Sequence, residues 1–292
     1  MITGKTGVFF MIADPIDQVR TPEIFNKVLP LCGVDAVMVP LHVSPENLVD
    51  TVRALFRSPT TRGIVLSIPH KAAAAALSDR CSKGAATANA VNAIRKNAAG
   101  ELEGELFDGL GFVKSMERYS MEYRGKRVLL IGAGGAACAI ATALAAADVS
   151  RIAIFDPETE KAEQLASSVG RQYGVHTSIQ SDNDPTGFDL VINASPLGLK
   201  LSDPLPVPPE RLDADAQVCD ILMKNQPTPL LQAAMSRGNA VLPGFDMLIL
   251  QTPLFFEFFG VPGAAEMLRR DDSIVREMLF PAELMDMVRR TA

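Results

Sequence analysis

The segment Gly125-Lys-Arg-Val-Leu-Leu-Ile-Gly-Ala-Gly-Gly-Ala-Ala137 carries the most legible chemistry in the chain. Gly132, Gly134 and Ala137 stand in a G-x-G-x-x-A spacing between a strand-like apolar run and a helix-like alanine run. The first glycine permits a tight turn, the second lets the backbone approach a pyrophosphate, and the alanine lets the helix pack closely on the strand. Backbone amides and the positive helix end then face the phosphates. The plainer use of the same glycines is a tight turn and nothing more. A second apolar run, Ile152-Ala-Ile-Phe155, ends in Asp156, where an acid can hydrogen-bond an adenine ribose; its plainer role is a helix or turn cap. Pro157 and Glu158 follow, so no Arg stands where a 2′-phosphate would need one. Repulsion between a phosphate and a carboxylate about 5 Å away, at an effective dielectric near 20, is on the order of a few kcal/mol. Spacing and charge together predict a dinucleotide cofactor, with NAD preferred over NADP.

These residues need a scaffold, and the chain supplies a repeating one. Strand-length apolar runs (Gly7 to Ile12, Ala36 to Val39, Gly63 to Ser67, Val128 to Ile131, Ile152 to Phe155, Leu190 to Ile192, Val218 to Leu222) alternate with helical patterns. That βαβα rhythm predicts an α/β protein with parallel sheets covered by helices. Two sheets are expected. Residues 109–244 read as a doubly wound Rossmann dinucleotide-binding domain, and residues 1–108 with 245–292 as an N-terminal α/β domain completed by C-terminal helices. Met247 to Phe259 and Gly263 to Val288 have helical apolar spacing. Ser202 to Pro209, dense in proline, reads as a loop.

Composition narrows the function classes. A formal charge of −6 over 292 residues leaves no basic footprint for nucleic acid or an anionic membrane surface, so neither partner is expected. Cys32, Cys81, Cys138 and Cys219 form no C-x-x-C pair, which argues against a disulfide framework or a metal site and predicts buried free thiols. The Val8 to Ala13 run meets Asp14 too early for a signal peptide, and the Ala136 to Ala147 stretch is too short for the ~20 residues of a spanning helix. A cytoplasmic protein is expected.

Several short segments resemble one family. Gly63-Ile-Val-Leu-Ser-Ile-Pro-His-Lys71 resembles the G-x-N-V-T-x-P-x-K segment of shikimate dehydrogenases, Ala90-Val-Asn92 their A-V-N-T, and Gly104-Glu-Leu-Phe-Asp-Gly-Leu-Gly111 their G-x-N-T-D-G-x-G. Asp189 to Gly198 resembles their I-N-A-T-x-x-G region, Thr228-Pro-Leu-Leu231 their T-P-L-L, and Gly244 to Gln251 their G-L-x-M-L-x-x-Q. Order and spacing agree along nearly the whole chain, so it is identified as a member of the shikimate/quinate dehydrogenase family. The resemblance implies hydride transfer between NAD and a ring hydroxyl of a small alicyclic hydroxy acid. Lys71 is then the acid/base, which a partly desolvated Lys can be, and Asp108 its partner on the reacting hydroxyl. Taken alone, the two would be a solvated pair. Asn92 and Gln251 match positions that hydrogen-bond substrate hydroxyls, Ser67 keeps a hydroxyl where the family has Thr, and His70 reads as structural. The resemblance extends the cofactor-contacting set to Gly135, Ala136, Asn193, Ala194, Met223 and Gly244. Oligomeric state is not legible, and a homodimer is left open.

The chain also departs from that family. Where the family shows N-P-I-x-H-S-x-S-P, with two serines holding a carboxylate, this chain has Val19 and Thr21. Val65 replaces an Asn, Leu106-Phe107 an Asn-Thr pair, and Met223 a Tyr. Arg20 offers a substitute carboxylate anchor only if its loop turns inward. Retained chemistry with altered substrate readers predicts a family member of changed specificity. The competing class is a non-catalytic NAD-binding regulatory homologue, against which retention of Lys71 and Asp108 argues. A methylenetetrahydrofolate-dehydrogenase-like enzyme is disfavoured by the T-P-L-L and G-x-x-M-L-x-x-Q segments.

Overall fold

The computed structural model describes residues 1–281 and Leu284. It is an α/β structure of two compact units, the first Met1–Phe107 with Gln251–Met278, the second Asp108–Leu250 with the described residues from Leu279 on. Asp108 and residues 245–250 fall with the second unit.

In the first unit the order is β1 (Gly7–Ala13), α1 (Thr21–Leu31), β2 (Ala36–His42), α2 (Leu48–Leu55), β3 (Thr61–Leu66), α3 (Lys71–Leu77), β4 (Arg80–Cys81), α4 (Lys83–Ala88), β5 (Ala93–Lys96) and β6 (Leu102–Glu105). Its six-stranded sheet runs β2-β1-β3-β5-β6-β4. The expectation of a purely parallel sheet fails here, because β5 pairs antiparallel with both β3 and β6. The missed pair has a physical reason. Ala93-Ile-Arg-Lys96 and Leu102-Glu-Gly-Glu105 lack the continuous apolar run that marks a strand buried on both faces. The core of this unit is aromatic. Phe25 lies 4.3 Å from Phe256 and 5.5 Å from Phe9 between ring centroids, and Phe9 lies 5.2 Å from Phe259.

The second unit comprises α5 (Asp108–Arg118), β7 (Arg127–Ile131), α6 (Gly135–Ala146), β8 (Arg151–Phe155), α7 (Thr159–Tyr173), β9 (His176–Ile179), β10 (Leu190–Asn193), β11 (Gln217–Asp220), α8 (Pro229–Ser236) and β12 (Val241–Pro243). Its sheet, ordered β12-β11-β10-β7-β8-β9, is parallel throughout. The chain winds outward from β7 through β8 to β9 and then returns to the other side of β7, so the switch point falls between β7 and β10. Val128, Leu130, Ile152, Ile154, Leu190 and Ile192 bury the sheet against Ile140, Leu144 and Phe112. The strands β9 and β12 escape sequence patterning because they are short edges, one of them polar.

The unit boundary falls within α9 (Phe245–Phe258); α10 (Ala264–Arg270) and α11 (Ser273–Leu279) follow. The helical pattern expected to run from Gly263 to Val288 is broken at Asp271-Asp272, and its end lies outside the described residues. No helix among the described residues is long and apolar enough to cross a membrane. All four thiols are free, but only Cys219 is buried; Cys32, Cys81 and Cys138 are half-buried, a correction to the expectation.

Candidate active site

The dinucleotide half is built at the C-terminal ends of β7, β8, β10 and β11. Gly132 adopts φ +103, and a Cβ there would stand 2.8 Å from the Ala194 carbonyl oxygen, so the turn after β7 and the turn after β10 meet only because this residue is glycine. Gly134 caps α6 in an extended conformation with no side chain bonded to the helix end. A Cβ at Gly134 would meet nothing within 4 Å. Gly134 and Gly135 are exposed, Ala136 half-buried and Ala137 buried. An open approach to a helix N-terminus whose first amides lack intrahelical partners fits a pyrophosphate. Asp156 bridges this loop: Oδ2 accepts the Ala133 N–H at 2.8 Å and Oδ1 the Glu158 N–H at 2.8 Å. The cap-like role and a ribose-binding role are compatible, since an ionised carboxylate has about four acceptor sites and two are spent.

Asn193, the last residue of β10, is fully buried. Its Oδ1 accepts the N–H and hydroxyl of Ser195 at 3.1 and 2.6 Å, and its Nδ2 donates to the Leu197 carbonyl at 3.1 Å and to Asp220 at 3.0 Å. Asn193 therefore shapes the loop that carries Ala194. Gly244 is buried, and a Cβ there would stand 2.3 Å from the Ile221 carbonyl oxygen, so glycine is required by the backbone that leads to Met223, which is half-buried.

Asp220 and Thr228, which the sequence does not single out as functional, are buried beside Asn193 and bonded to each other at 2.8 Å. Asp220 is 1% exposed, and burial pushes its carboxyl up to about 6 although Thr228, Leu222 and Asn193 donate to it. The available signal was an acid closing an apolar strand, the same signal that singled out Asp156.

In the substrate half, Lys71 opens α3 and is half-buried, and Ser67, which follows β3, donates its N–H to the Ile12 carbonyl at 2.9 Å. His70 is buried with Nε2 2.8 Å from the Val43 carbonyl, a structural placement. Asn92 Oδ1 accepts the Phe107 N–H at 3.0 Å, and its Nδ2 donates to Gln251 Oε1 at 3.2 Å. Both amides are buried, and the bond to Phe107 fixes the backbone one residue before Asp108. Asp108 opens α5 and is 6% exposed.

The replaced positions have become packing. Val65 is buried one residue before the end of β3, paired with Ala93. Phe107 is buried edge-on against Phe255 at 5.2 Å and Phe258 at 5.7 Å. Thr21 is buried at the first position of α1, and Val19 is half-buried before it. Arg20 is not turned inward: Nε and Nη2 pair with Glu23 at 2.6 and 2.8 Å, and Nη2 also reaches the Met278 carbonyl at 3.3 Å. The Nε–Nη2 edge of the guanidinium is thus engaged by Glu23, a neighbour on the same helix. Among the described residues no group of His, Cys, Asp and Glu is arranged to hold a metal.

Comparison with known proteins agrees with this layout. Residues 11–94 match the shikimate dehydrogenase substrate binding domain, and residues 114–196 match shikimate/quinate 5-dehydrogenase. A shikimate dehydrogenase (NADP(+)) of Rubrobacter xylanophilus is 35% identical over 254 residues, covering 86% of this chain and 89% of the relative. Shikimate 5-dehydrogenase from Listeria monocytogenes, solved with shikimate and NAD, superposes with a TM-score of 0.84 at 26% identity, over 96% of this chain and 98% of that one. Quinate dehydrogenase from Corynebacterium glutamicum, solved with NAD, superposes with a TM-score of 0.80 at 25% identity, over 92% and 99%. The chain belongs to the shikimate/quinate dehydrogenase family of oxidoreductases, whose members use a nicotinamide dinucleotide.

Proposed function

We propose that the chain is an NAD-dependent dehydrogenase that reversibly moves a hydride between NAD and a ring hydroxyl of shikimate, quinate or a related alicyclic hydroxy acid. One observation carries this reading: an open glycine turn at the uncapped start of α6 occurs in a chain that also keeps Lys71, Asn92, Asp108 and Gln251 in the family's motif positions.

The dinucleotide, when bound, supplies a two-electron acceptor or donor of hydride. The chain supplies the proton handling and the positioning. Lys71 Nζ takes the hydroxyl proton during oxidation and returns it during reduction, and the Asp108 carboxylate accepts a hydrogen bond from the ammonium so formed and keeps it directed at the reacting oxygen. Asn92 contributes twice, holding the chain next to Asp108 through the Phe107 amide and orienting Gln251 toward ring hydroxyls. The amides of Gly134, Gly135, Ala136 and Ala137 receive the pyrophosphate.

Asp156 selects NAD. Its remaining lone pairs suit ribose hydroxyls, while a 2′-phosphate would bring like charge beside it, with Glu158 close in sequence. The relative from Rubrobacter xylanophilus is named for NADP(+) and the two structural neighbours hold NAD, so family membership alone leaves the choice open. Val19, Val65 and Met223 set specificity by offering apolar surface where polar contacts to a shikimate-like ring would be needed.

The test is an assay of purified protein with NAD and with NADP against a panel of alicyclic hydroxy acids, following absorbance of the reduced nicotinamide. Turnover of at least one acid with NAD is expected. Silence with every acid and both cofactors removes the reading.

A further inference from the structure

The second unit holds a buried acid that the chemistry proposed above does not use. Asp220 closes β11 in the register position opposite Asn193 of β10. Its Oδ1 accepts Asn193 Nδ2 at 3.0 Å and the Leu222 N–H at 3.1 Å, and its Oδ2 accepts the Thr228 hydroxyl at 2.8 Å. Thr228 in turn caps α8, its Oγ1 accepting the Leu231 N–H at 3.3 Å. Farther out, Asn225 Nδ2 donates to the carbonyls of Gly198 and Leu199, both at 2.9 Å. Two loops, residues 194–203 and 221–228, are thus laced together, and one carboxylate is the knot. Both loops leave the C-terminal ends of adjacent parallel strands, the edge at which open α/β sheets receive their ligands.

We propose that Asp220 is a positioning residue for the dinucleotide: its ionised carboxylate locks the 221–228 loop to the 194–203 loop, and protonation loosens the lock and weakens cofactor binding. The proposal rests on the reading that this unit binds a nicotinamide dinucleotide.

The cage is built for the charged form. Asn193 from β10, Thr228 at the start of α8 and the Leu222 amide all present donors, and Pro243 lies opposite in the β12 register. Cys219, beside Asp220 in the chain, feels its charge, and burial holds that thiol well above its usual value, so it stays neutral. A protonated carboxyl would add a hydrogen facing three donors, and only the Thr228 hydroxyl can turn to accept it, giving up its own donation. Burial lifts the Asp220 carboxyl to about 6, which brings this event into the mildly acid range. The sign for stability is opposite to that of an ordinary ion pair. A carboxyl whose folded value lies above its unfolded value makes ionisation costly above pH 6, and that cost fades as pH falls toward 4. A charge kept at such cost points to use rather than to scaffolding.

The decisive variant is Asp220→Asn, nearly the same shape and neutral at every pH. Binding of NADH, or of NADPH where that is tighter, is followed by nicotinamide fluorescence without substrate from pH 5 to pH 8. The wild-type dissociation constant should rise at least about fivefold from pH 7.5 to pH 5, the low end of coupling between sites. Asp220→Asn should show the weak acid-side value throughout, with no pH dependence of its own. Because Asp220→Asn turns an Nδ2 donor into a cage of donors, urea unfolding at pH 7.5 confirms that the variant is folded where its binding is read. Wild-type binding that ignores pH, or a variant that follows the wild-type profile, overturns the proposal while leaving the dinucleotide reading intact. Failure of wild type to bind either reduced dinucleotide at any pH overturns both.

Discussion

The two units treat polarity at their strand ends in opposite ways. In the second unit, Asp156, Asn193, Asp220 and Thr228 are tied to backbone amides or to one another, and the glycine turn beside them is left open. In the first unit, positions where the family shows amides or hydroxyls are Val65, Leu106 and Phe107, all buried, and Phe107 has joined the aromatic cluster with Phe255 and Phe258. The difference follows from what each unit must recognise. A dinucleotide presents the same phosphates to every enzyme that uses it, so the backbone geometry that meets them is fixed. A small ring varies, and its readers can be exchanged for packing without disturbing the frame that holds Lys71.

The comparison is broken most sharply by removing the chemistry and leaving the cofactor unit alone. Lys71→Ala and Asp108→Ala should each lower turnover by about 10²-fold or more, the usual scale for a positioned acid or base. Affinity for NAD, measured by nicotinamide fluorescence or calorimetry, should hardly change. Turnover near wild type in either variant would remove the assigned roles.

Cofactor choice is the next largest effect. With Asp156 at the end of β8 and no adjacent Arg, kcat/KM for NAD should exceed that for NADP by at least ~30-fold, about 2 kcal/mol. Equal efficiencies would show that Asp156, already holding the Ala133 and Glu158 amides, is only a brace for the loop.

What could be read in the sequence divides along the same line. The seven apolar runs all became strands; those inside the sheets are continuously apolar because helices cover both faces, and the edge strand β2 keeps an apolar run although only Met38 in it is buried. The pair β5 and β6 was not readable: Arg95 and Glu103 join across it at 2.7 Å, so its pattern is that of a half-exposed hairpin with ordinary polar residues. The glycine turn was readable because its geometry tolerates few residue types. The burial of Asp220 was not, since it depends on β10, β11 and α8 converging from distant stretches of chain. The fate of Arg20 was hidden for the same reason: Glu23 is near in sequence, but the Met278 carbonyl is far from it.

Substrate recognition should show a smaller change than catalysis. With Val at positions 19 and 65 and Met at 223, where the family has Ser, Asn and Tyr, the chain offers fewer groups to hold a carboxylate or ring hydroxyls. A KM for shikimate in the millimolar range or above is expected, against the roughly 1 μM to 1 mM common for enzymes, together with a better substrate among other alicyclic hydroxy acids. Steady-state kinetics decide it. A micromolar KM with rapid turnover would show that the exchanged positions carry no specificity.

The smallest effect concerns two aspartates at opposite ends of neighbouring strands in the second unit. Asp189 enters β10 and holds Arg127 of β7 by the backbone N–H at 2.7 Å and by the guanidinium at 2.8 and 3.0 Å, which lowers its carboxyl to about 2. Asp220 leaves β11 and is pushed the other way, to about 6, by burial. A lowered folded value means that Asp189 contributes stability above its unfolded value near 4, and that this contribution is lost as pH falls toward 2. The Arg127 side chain is 51% exposed and that of Asp189 30%, so solvent screens the pair and its worth is held to about 1 kcal/mol or less. Asp189→Asn should therefore destabilise the protein by about that amount at pH 7, less in high salt, with the gap from wild type closing between pH 4 and pH 2 in urea unfolding. A gap that persists unchanged to pH 2 would mean that the bonds from Arg127 do not hold the Asp189 carboxyl low, and that this end of the sheet is braced by something other than the pair.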